Sequence, residues 1–309
     1  MSHLTALMEE LEMDEREWLT ERFEQHRQHL RAVAYRMLGS VSEADDAVQE
    51  VWLRIRDQDP QSVENIRAWL TTIVGRVCLN VLRSRRPRPE EPSVHVPDPV
   101  VSLDQAEDPE HEALLVESVG LALLVVLEQL TPAERLAFVL HDIFGVPFAD
   151  IASALERSEA SAQQLASRAR RRLRGAPAPD GDLARQRRVV DAFFAASRDG
   201  NFEALLALLD PNVELRIDGG VLRSEASLLL RGADAVASHT STYSKLYPFV
   251  IPALVNGAAG AVVAPQGCVF SVMAFTVTYE KIVEIDALLD PERLQRLDLT
   301  IRSTADRES

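Results

Sequence analysis

Nine arginines stand in two short runs, and guanidinium groups bunched in this way offer chemistry for phosphate. The first run is Arg83, Arg85, Arg86 and Arg88; the second is Arg168, Arg170, Arg171, Arg172 and Arg174. A guanidinium presents a fixed fork of N–H donors that matches phosphate oxygens and the acceptor edge of guanine. Lysine occurs only at positions 245 and 281, so arginine carries almost all the positive charge. Each run also closes an amphipathic helical stretch, where basic residues complement the helix dipole. The net charge of −15 argues against a general affinity for nucleic acid, which leaves the local distribution to decide. Carboxylates gather between the runs at Glu90, Glu91, Asp98, Asp104, Glu107, Asp108, Glu110 and Glu112. Nothing in the chain resembles a phosphate-binding loop, a zinc motif or a nucleophile elbow, so no catalytic residue, metal or other cofactor is expected. Cys78 and Cys268 lie far apart in apolar surroundings and are expected to be small buried hydrophobes.

The elements that must carry these arginines are helical. Between Trp18 and Arg86, Leu30, Val33, Ala34, Met37 and Leu38 recur at helical spacing, and Gly39-Ser40 ends that helix. A second helix is expected from about Glu43 to Arg56. A third, from about Ile66 to Arg85, should bury Trp69, Leu70, Ile73, Val74, Val77 and Val81, leaving Thr71, Thr72, Arg76, Asn80 and Arg83 on its other side. Residues 87–111 are rich in proline and carboxylates and read as a flexible acidic linker. Helical periodicity resumes from about Glu112 to Leu130, and Thr131-Pro132-Ala133-Glu134 combines an N-cap, a proline at the first helical position and a capping-box acid.

Phe148–Leu155, a turn through Glu156–Ser158 and a helix from Ala160 to Arg172 have a helix-turn-helix layout, although the turn lacks a glycine. In the second helix Ala162, Leu165, Ala166 and Ala169 should pack inward. Ser161, Gln163, Gln164, Ser167, Arg168, Arg171 and Arg172 are left as candidate contacts to bases and phosphates. A Pro/Gly-rich stretch at residues 175–182 reads as a tether. Beyond it, helices at Leu183–Arg198 and Phe202–Leu208 precede short β-branched runs at Val213–Ile217, Ala261–Val263, Cys268–Val277 and Lys281–Ala287, the order of an α+β domain.

Leu127–Leu155, with the Ser167-Arg-Ala-Arg170 ending, resembles region 4 of the extracytoplasmic-function (ECF) RNA polymerase sigma factors. Gly39–Arg54 resembles their region 2, and Ala68–Arg83 its promoter-melting helix. Two motifs in the family's order are far more specific than either alone. The resemblance implies a multidomain chain of two all-α sigma domains, a region 2 helical bundle over 18–86 and a region 4 helix-turn-helix over 112–174, joined by the linker at 87–111. It also implies the partners: core RNA polymerase, met at the clamp of its large subunit and at the flap, and promoter DNA. Asp45, Asp46, Gln49, Glu50, Trp52 and Arg54 become the candidate polymerase contacts. Arg76, Asn80 and Arg83 become candidates for strand separation at the minus-ten element, while region 4 would read the minus-thirty-five element as duplex. The linker would thread the polymerase's RNA-exit path.

Val189–Leu215 resembles the opening of SnoaL/NTF2-like α+β cone domains, so residues 183–309 are expected to form one, as a regulator built into the chain. Asp218, Gly219 and Gly220, with Val221 in place of a third glycine, and Asp290, Pro291 and Leu294 are the candidate regulatory interface to the sigma domains. Asp218, His239, Tyr243, Tyr247 and Asp286 could line a cone cavity, which makes a small ligand a further candidate partner. The alternatives are a ligand-sensing helix-turn-helix regulator and, less favoured, a SnoaL-type enzyme fused to a DNA-binding module. At 309 residues, with 46% hydrophobic and 26% charged, the composition fits several soluble domains. With no apolar run long enough for a bilayer and no basic, apolar-cored leader, the expected location is the cytoplasm.

Overall fold

Cap chemistry and apolar spacing set most of the helix ends. The computed structural model describes residues 2–56, 65–85, 94–103, 120–175, 180–297 and 299. The helices are α1 (Ser2–Leu38), α2 (Val41–Ile55), α3 (Ile66–Ser84), α4 (Leu121–Glu128), α5 (Pro132–Phe138), α6 (Phe148–Leu155), α7 (Glu159–Leu173), α8 (Leu183–Arg198), α9 (Phe202–Leu208), α10 (Ala233–Thr242) and α11 (Pro291–Arg296). Ser40 and Asn65 cap α2 and α3 by accepting from the Glu43 and Ala68 amides. At α5 the capping box is complete: Thr131 Oγ1 accepts from the Glu134 amide, and Glu134 accepts from the Thr131 amide at 3.1 Å. A π-helical turn, Val139–Ile143, follows it.

The chain divides into two compact units, 1–87 with 127–174, and 88–126 with 175–309. The sequence separates the two helical segments by a linker, whereas the contacts join them in one unit. In that unit Gly75 of α3 lies so close to α5 and its π-helical turn that an added Cβ would stand 2.9 Å from a Leu136 methyl and 3.0 Å from one of Leu140. Arg135, buried, donates to the Met37 carbonyl at 2.8 Å, and Arg36 and His29 both pack on the Phe144 ring.

This packing corrects the expected faces of α3. Thr71 is buried, while Trp69, Ile73 and Val81 are only half-buried. Arg67 donates to His29 Nδ1, which leaves Nε2–H to donate to Thr71 Oγ1 at 2.9 Å. Burial, with Arg67 nearby, pushes the His29 pKa down to about 4, so the ring is neutral in this role. Cys78 is buried as expected, but Cys268 is exposed, because it falls in the loop before the strand Ser271–Thr278 and not in the strand itself.

The helix-turn-helix turns on a residue other than glycine: Glu156 adopts φ +56°, ψ +44°, and its amide donates to the Ala152 and Ser153 carbonyls. Left-handed backbone disfavours a side chain with a Cβ. Glu156→Gly is therefore expected to raise the unit's stability by about 0.5–1 kcal/mol in chemical denaturation, and a loss would show that the Glu156 side chain contributes more than its backbone costs.

The second unit is built on a seven-stranded sheet in the order β1-β4-β5-β6-β7-β2-β3, with β2 parallel to β7 and the other pairs antiparallel. The strands are β1 (Val101–Ser102), β2 (Leu209–Asp218), β3 (Leu228–Arg231), β4 (Val250–Val255), β5 (Ala258–Val263), β6 (Ser271–Thr278) and β7 (Lys281–Leu288). Register shifts in β2 between Leu209 and Glu214 and in β6 between Thr276 and Val277 bend the sheet. Helices α8 and α9 run as expected, and Phe193 of α8 packs edge-on against Phe275 of β6 in the core. The tether's end is fixed here: the Asp180 amide donates to the Val277 carbonyl, and buried Gln186 accepts from the Ala259 amide. The domain has the SnoaL/NTF2-like cone arrangement.

Candidate nucleic-acid and regulatory sites

Helix α7 separates its two faces along the expected line. Ala162, Leu165, Ala166 and Ala169 are buried; Gln163, Gln164, Ser167, Arg168 and Arg171 are exposed, and Ser161 is half-buried. Two arginines of the same run serve the fold. Arg170 pairs with Asp142 at 2.6 Å, and Arg172, a candidate DNA contact, pairs with Glu134 at 2.8 Å. Burial opposes the charge on Glu134, but its bonds to Thr131 and the charges of Arg172 and Arg168 prevail, and its pKa lies below the ordinary value.

On α3, Asn80 and Arg83 are exposed, whereas Arg76 donates to the Ser153 carbonyl of α6 at 2.7 Å. Arg85 is bonded to Glu43 and to the Leu38 carbonyl, while Arg86 and Arg88 lie outside the described residues. On α2, Asp45, Asp46, Gln49, Glu50 and Arg54 are exposed on one side. Trp52 is half-buried against Phe23. Asp45 pairs with Arg31, and Glu50 with Arg54, both at 2.6 Å.

In the cone domain the expected regulatory residues come together on part of the linker. Asp218, at the end of β2, accepts from the Val96 amide at 3.0 Å and from Arg293 at 2.8 Å, and His95 Nδ1 stands 3.2 Å away. Arg293 also bonds Asp98 at 2.6 Å and the Val96 carbonyl. Gly220, at φ +64°, leaves no room for a Cβ, which would sit 2.0 Å from the Asp290 carboxylate. Asp290 in turn caps α11 through the Glu292 and Arg293 amides, with Pro291 opening the helix and Leu294 buried beneath it. Val221 is 91% exposed, so its replacement of a glycine leaves the turn unobstructed. A second hold follows: Val100 and Asn256 bond each other, and Val101–Ser102 pair with Val255 and Leu254 as an edge strand. Residues 94–103 are thus docked, which corrects the expectation of a flexible linker over that stretch. The rest of 87–111 lies outside the described residues.

Burial raises the Asp218 pKa, yet His95, the Val96 amide and Arg293 overcome it and hold the carboxyl down at about 2. The stabilisation it provides is complete above its unfolded pKa near 4 and is lost only as pH falls through about 2, so this grip is intact at neutral pH. Sequence reasoning missed Arg293, His95 and Asn256. For Arg293 the signal was present, as the one cation between Asp290 and Leu294 in a motif set against acidic partners.

Asp286 does not line the cone. Strand alternation puts it on the opposite face of β7 from Ile285 and Ala287, with Arg216, Glu214 and Glu284. Burial, then repulsion from Asp286, lifts Glu284 to about 7 against the pull of Arg216. A carboxyl raised in the folded state contributes fully below its unfolded pKa of about 4.5, and that contribution is lost as pH rises through about 7. Glu284→Gln should therefore stabilise the domain by about 3 kcal/mol at pH 8 and by almost nothing at pH 4.5. Denaturation at the two pH values checks this, and equal differences would refute it.

Among the described residues no helix is long and apolar enough to cross a membrane. Residues 22–88 match the Sigma-70 region 2 family and residues 120–173 match Sigma-70 region 4, which defines a sigma factor of the sigma-70 type. The chain is 42% identical over 251 residues to the ECF RNA polymerase sigma factor SigJ of Mycobacterium tuberculosis, covering 78% of this chain and 80% of that one. It is 34% identical over 284 residues to the probable ECF RNA polymerase sigma factor SigI of the same species, covering 88% and 93%. The crystal structure of M. tuberculosis SigJ superposes with a TM-score of 0.74 at 34% identity, over 91% of this chain and all of that one. The chain belongs to the ECF RNA polymerase sigma factors. It binds core RNA polymerase and promoter DNA and directs promoter-specific initiation; it is not an enzyme.

Proposed function

We propose that the exposed side of α2, with Asp45, Asp46, Gln49, Glu50, Trp52 and Arg54, docks on the clamp of the polymerase large subunit, in the cytoplasm. The second helical segment, 112–174, meets the flap and reads the minus-thirty-five duplex with Ser161, Gln163, Gln164, Ser167, Arg168 and Arg171; Arg172 adds to it only after releasing Glu134. Asn80, Arg83 and Arg76 act at the minus-ten element. The observation that carries this reading is α7, whose polar row stands exposed over a continuous buried alanine–leucine row.

Arg76 reaches DNA only when its bond to Ser153 opens, so the packed unit is the resting form, with Gly75 allowing the close approach. The cone domain (183–309), beyond the tether at 175–182, regulates in cis through Asp218, Gly219, Gly220, Asp290, Pro291 and Leu294. Their hold on residues 95–98 limits how far the linker at 87–111 lets the domains at 18–86 and 112–174 separate. A small ligand in the cone is the input this regulator takes. Runoff transcription with purified core polymerase, comparing the full chain with one truncated after Gly181, tests the reading. Sigma-dependent transcripts that differ between the two support it, identical transcripts remove the cis-regulation, and no transcript from either version favours a free-standing helix-turn-helix regulator.

A further inference from the structure

Inside the cone domain lies a cavity of about 80 Å³ whose walls include Phe193, Leu215, Met273 and Ile285, with His239, Tyr243 and Tyr247 at one side. Its lining carries no charged side chain. Two of its polar groups are satisfied within the protein: Thr240 Oγ1 donates to the Val236 carbonyl at 2.8 Å, and the Tyr247 hydroxyl donates to the Thr240 carbonyl at 3.1 Å. His239 differs. Its Nε2 is buried and has no hydrogen-bond partner among the described residues, a costly state for a ring nitrogen. Burial holds its pKa below the ordinary value, so the ring is neutral. A neutral imidazole in an uncharged, mostly apolar, half-open pocket takes a hydroxyl or a carbonyl and disfavours a carboxylate or an ammonium, which would enter without a counter-charge.

The cavity wall is continuous with the linker grip. Ile217 and Leu289 line it, and the residues that follow them are Asp218 and Asp290. The Leu289 amide donates to the Asp218 carbonyl at 2.7 Å. Ala226 also lines it, and the next residue, Ser227, accepts from the Gly219 amide at 3.0 Å. A molecule that moves these walls moves the groups that hold residues 95–98.

We propose that the cone cavity binds a small uncharged molecule bearing one hydroxyl or carbonyl group, paired with His239, and that occupancy is read out at the Asp218–Arg293 hold on the linker. The readout half rests on the cone domain's regulatory role; the binding half does not.

Saturation-transfer NMR on the full chain with phenol, toluene, benzoate and benzylammonium tests the binding half. Phenol is expected to bind, toluene to bind about five-fold more weakly for want of one hydrogen bond, and the two ions not to compete. His239→Leu should remove phenol's advantage while leaving toluene within about two-fold, and Ala287→Leu, which fills the space, should abolish both. Benzoate or benzylammonium binding as well as phenol, or phenol binding unchanged in both variants, would overturn the assignment. Hydrogen exchange at the Val96 amide, measured with and without saturating phenol, tests the readout. A change supports it and no change overturns it, whatever the truncation does in transcription.

Discussion

Arg293→Ala is expected to release residues 95–98 from the cone domain, with amide exchange at Val96 rising on the order of 100-fold. The side chain of Arg293 is 16% exposed and pairs at once with Asp98 and with Asp218, which is 6% exposed. Removing it takes the guanidinium counter-charge from two carboxylates, one of them almost wholly buried, although Asp218 keeps its bonds from the Val96 and Gly220 amides. Breaking a buried pair by deleting one partner costs about 3–5 kcal/mol, and the remaining access of Asp98 to solvent puts the value here near the lower figure. A free-energy loss of about 3 kcal/mol corresponds to the predicted change in exchange. The edge-strand pairing of Val101–Ser102, which depends on Asn256 and not on Arg293, should respond much less. In runoff transcription the same variant should change output in the direction of the truncated chain. Exchange at Val96 that stays at the parent rate would show that the backbone bond to Asp218 holds the linker without the arginine.

Arg168→Ala combined with Arg171→Ala is expected to weaken holoenzyme binding to a duplex minus-thirty-five element by about 10–100-fold at moderate salt. Each lost phosphate contact should also flatten the salt dependence by about one unit of slope. Alanine at Gln163 or Gln164 should instead relax the base preference at one position, by about 1–3 kcal/mol, with the salt slope unchanged. Arg170 and Arg172 provide the internal comparison. Their partners Asp142 and Glu134 belong to the same helical unit, so alanine there should lower thermal stability more than affinity. Anisotropy titrations across a salt series separate these outcomes. A parent-like slope in the double variant would place that face of α7 away from the phosphates.

What could be read from the chain alone is what neighbours within a few turns decide. The capping box Thr131–Glu134, the ends of α8 and α9, and the inward row of α7 follow from bonds and packing between residues three or four apart. The strong strands β6 and β7 announced themselves by β-branched runs, whereas β3, β4 and α10 went unrecognised because their residues read equally well as loop. The two sigma motifs were legible because their residue order is specific to the family.

The tertiary structure alone decided what long-range contacts control. Val96 meets Asp218 across 122 residues, and Asp98 meets Arg293 across 195, so nothing in the local composition of an acidic, proline-rich stretch could distinguish a docked linker from a free one. Thr71 looked like a surface position until His29 of α1 packed against it, and the close approach of Leu136 and Leu140 at Gly75 is set by a helix about sixty residues away. Arg76 and Arg172 belonged on sequence to a row of DNA contacts, yet both are bonded within the helical unit. Asp286 fell to the face of β7 opposite the cavity, buried beside Arg216, because a strand's period of two fixes its side once Ile285 and Ala287 take the core. Short-range chemistry therefore specified the elements and the family, while the pairing of distant charges and the packing of distant helices determined which groups stand free to act.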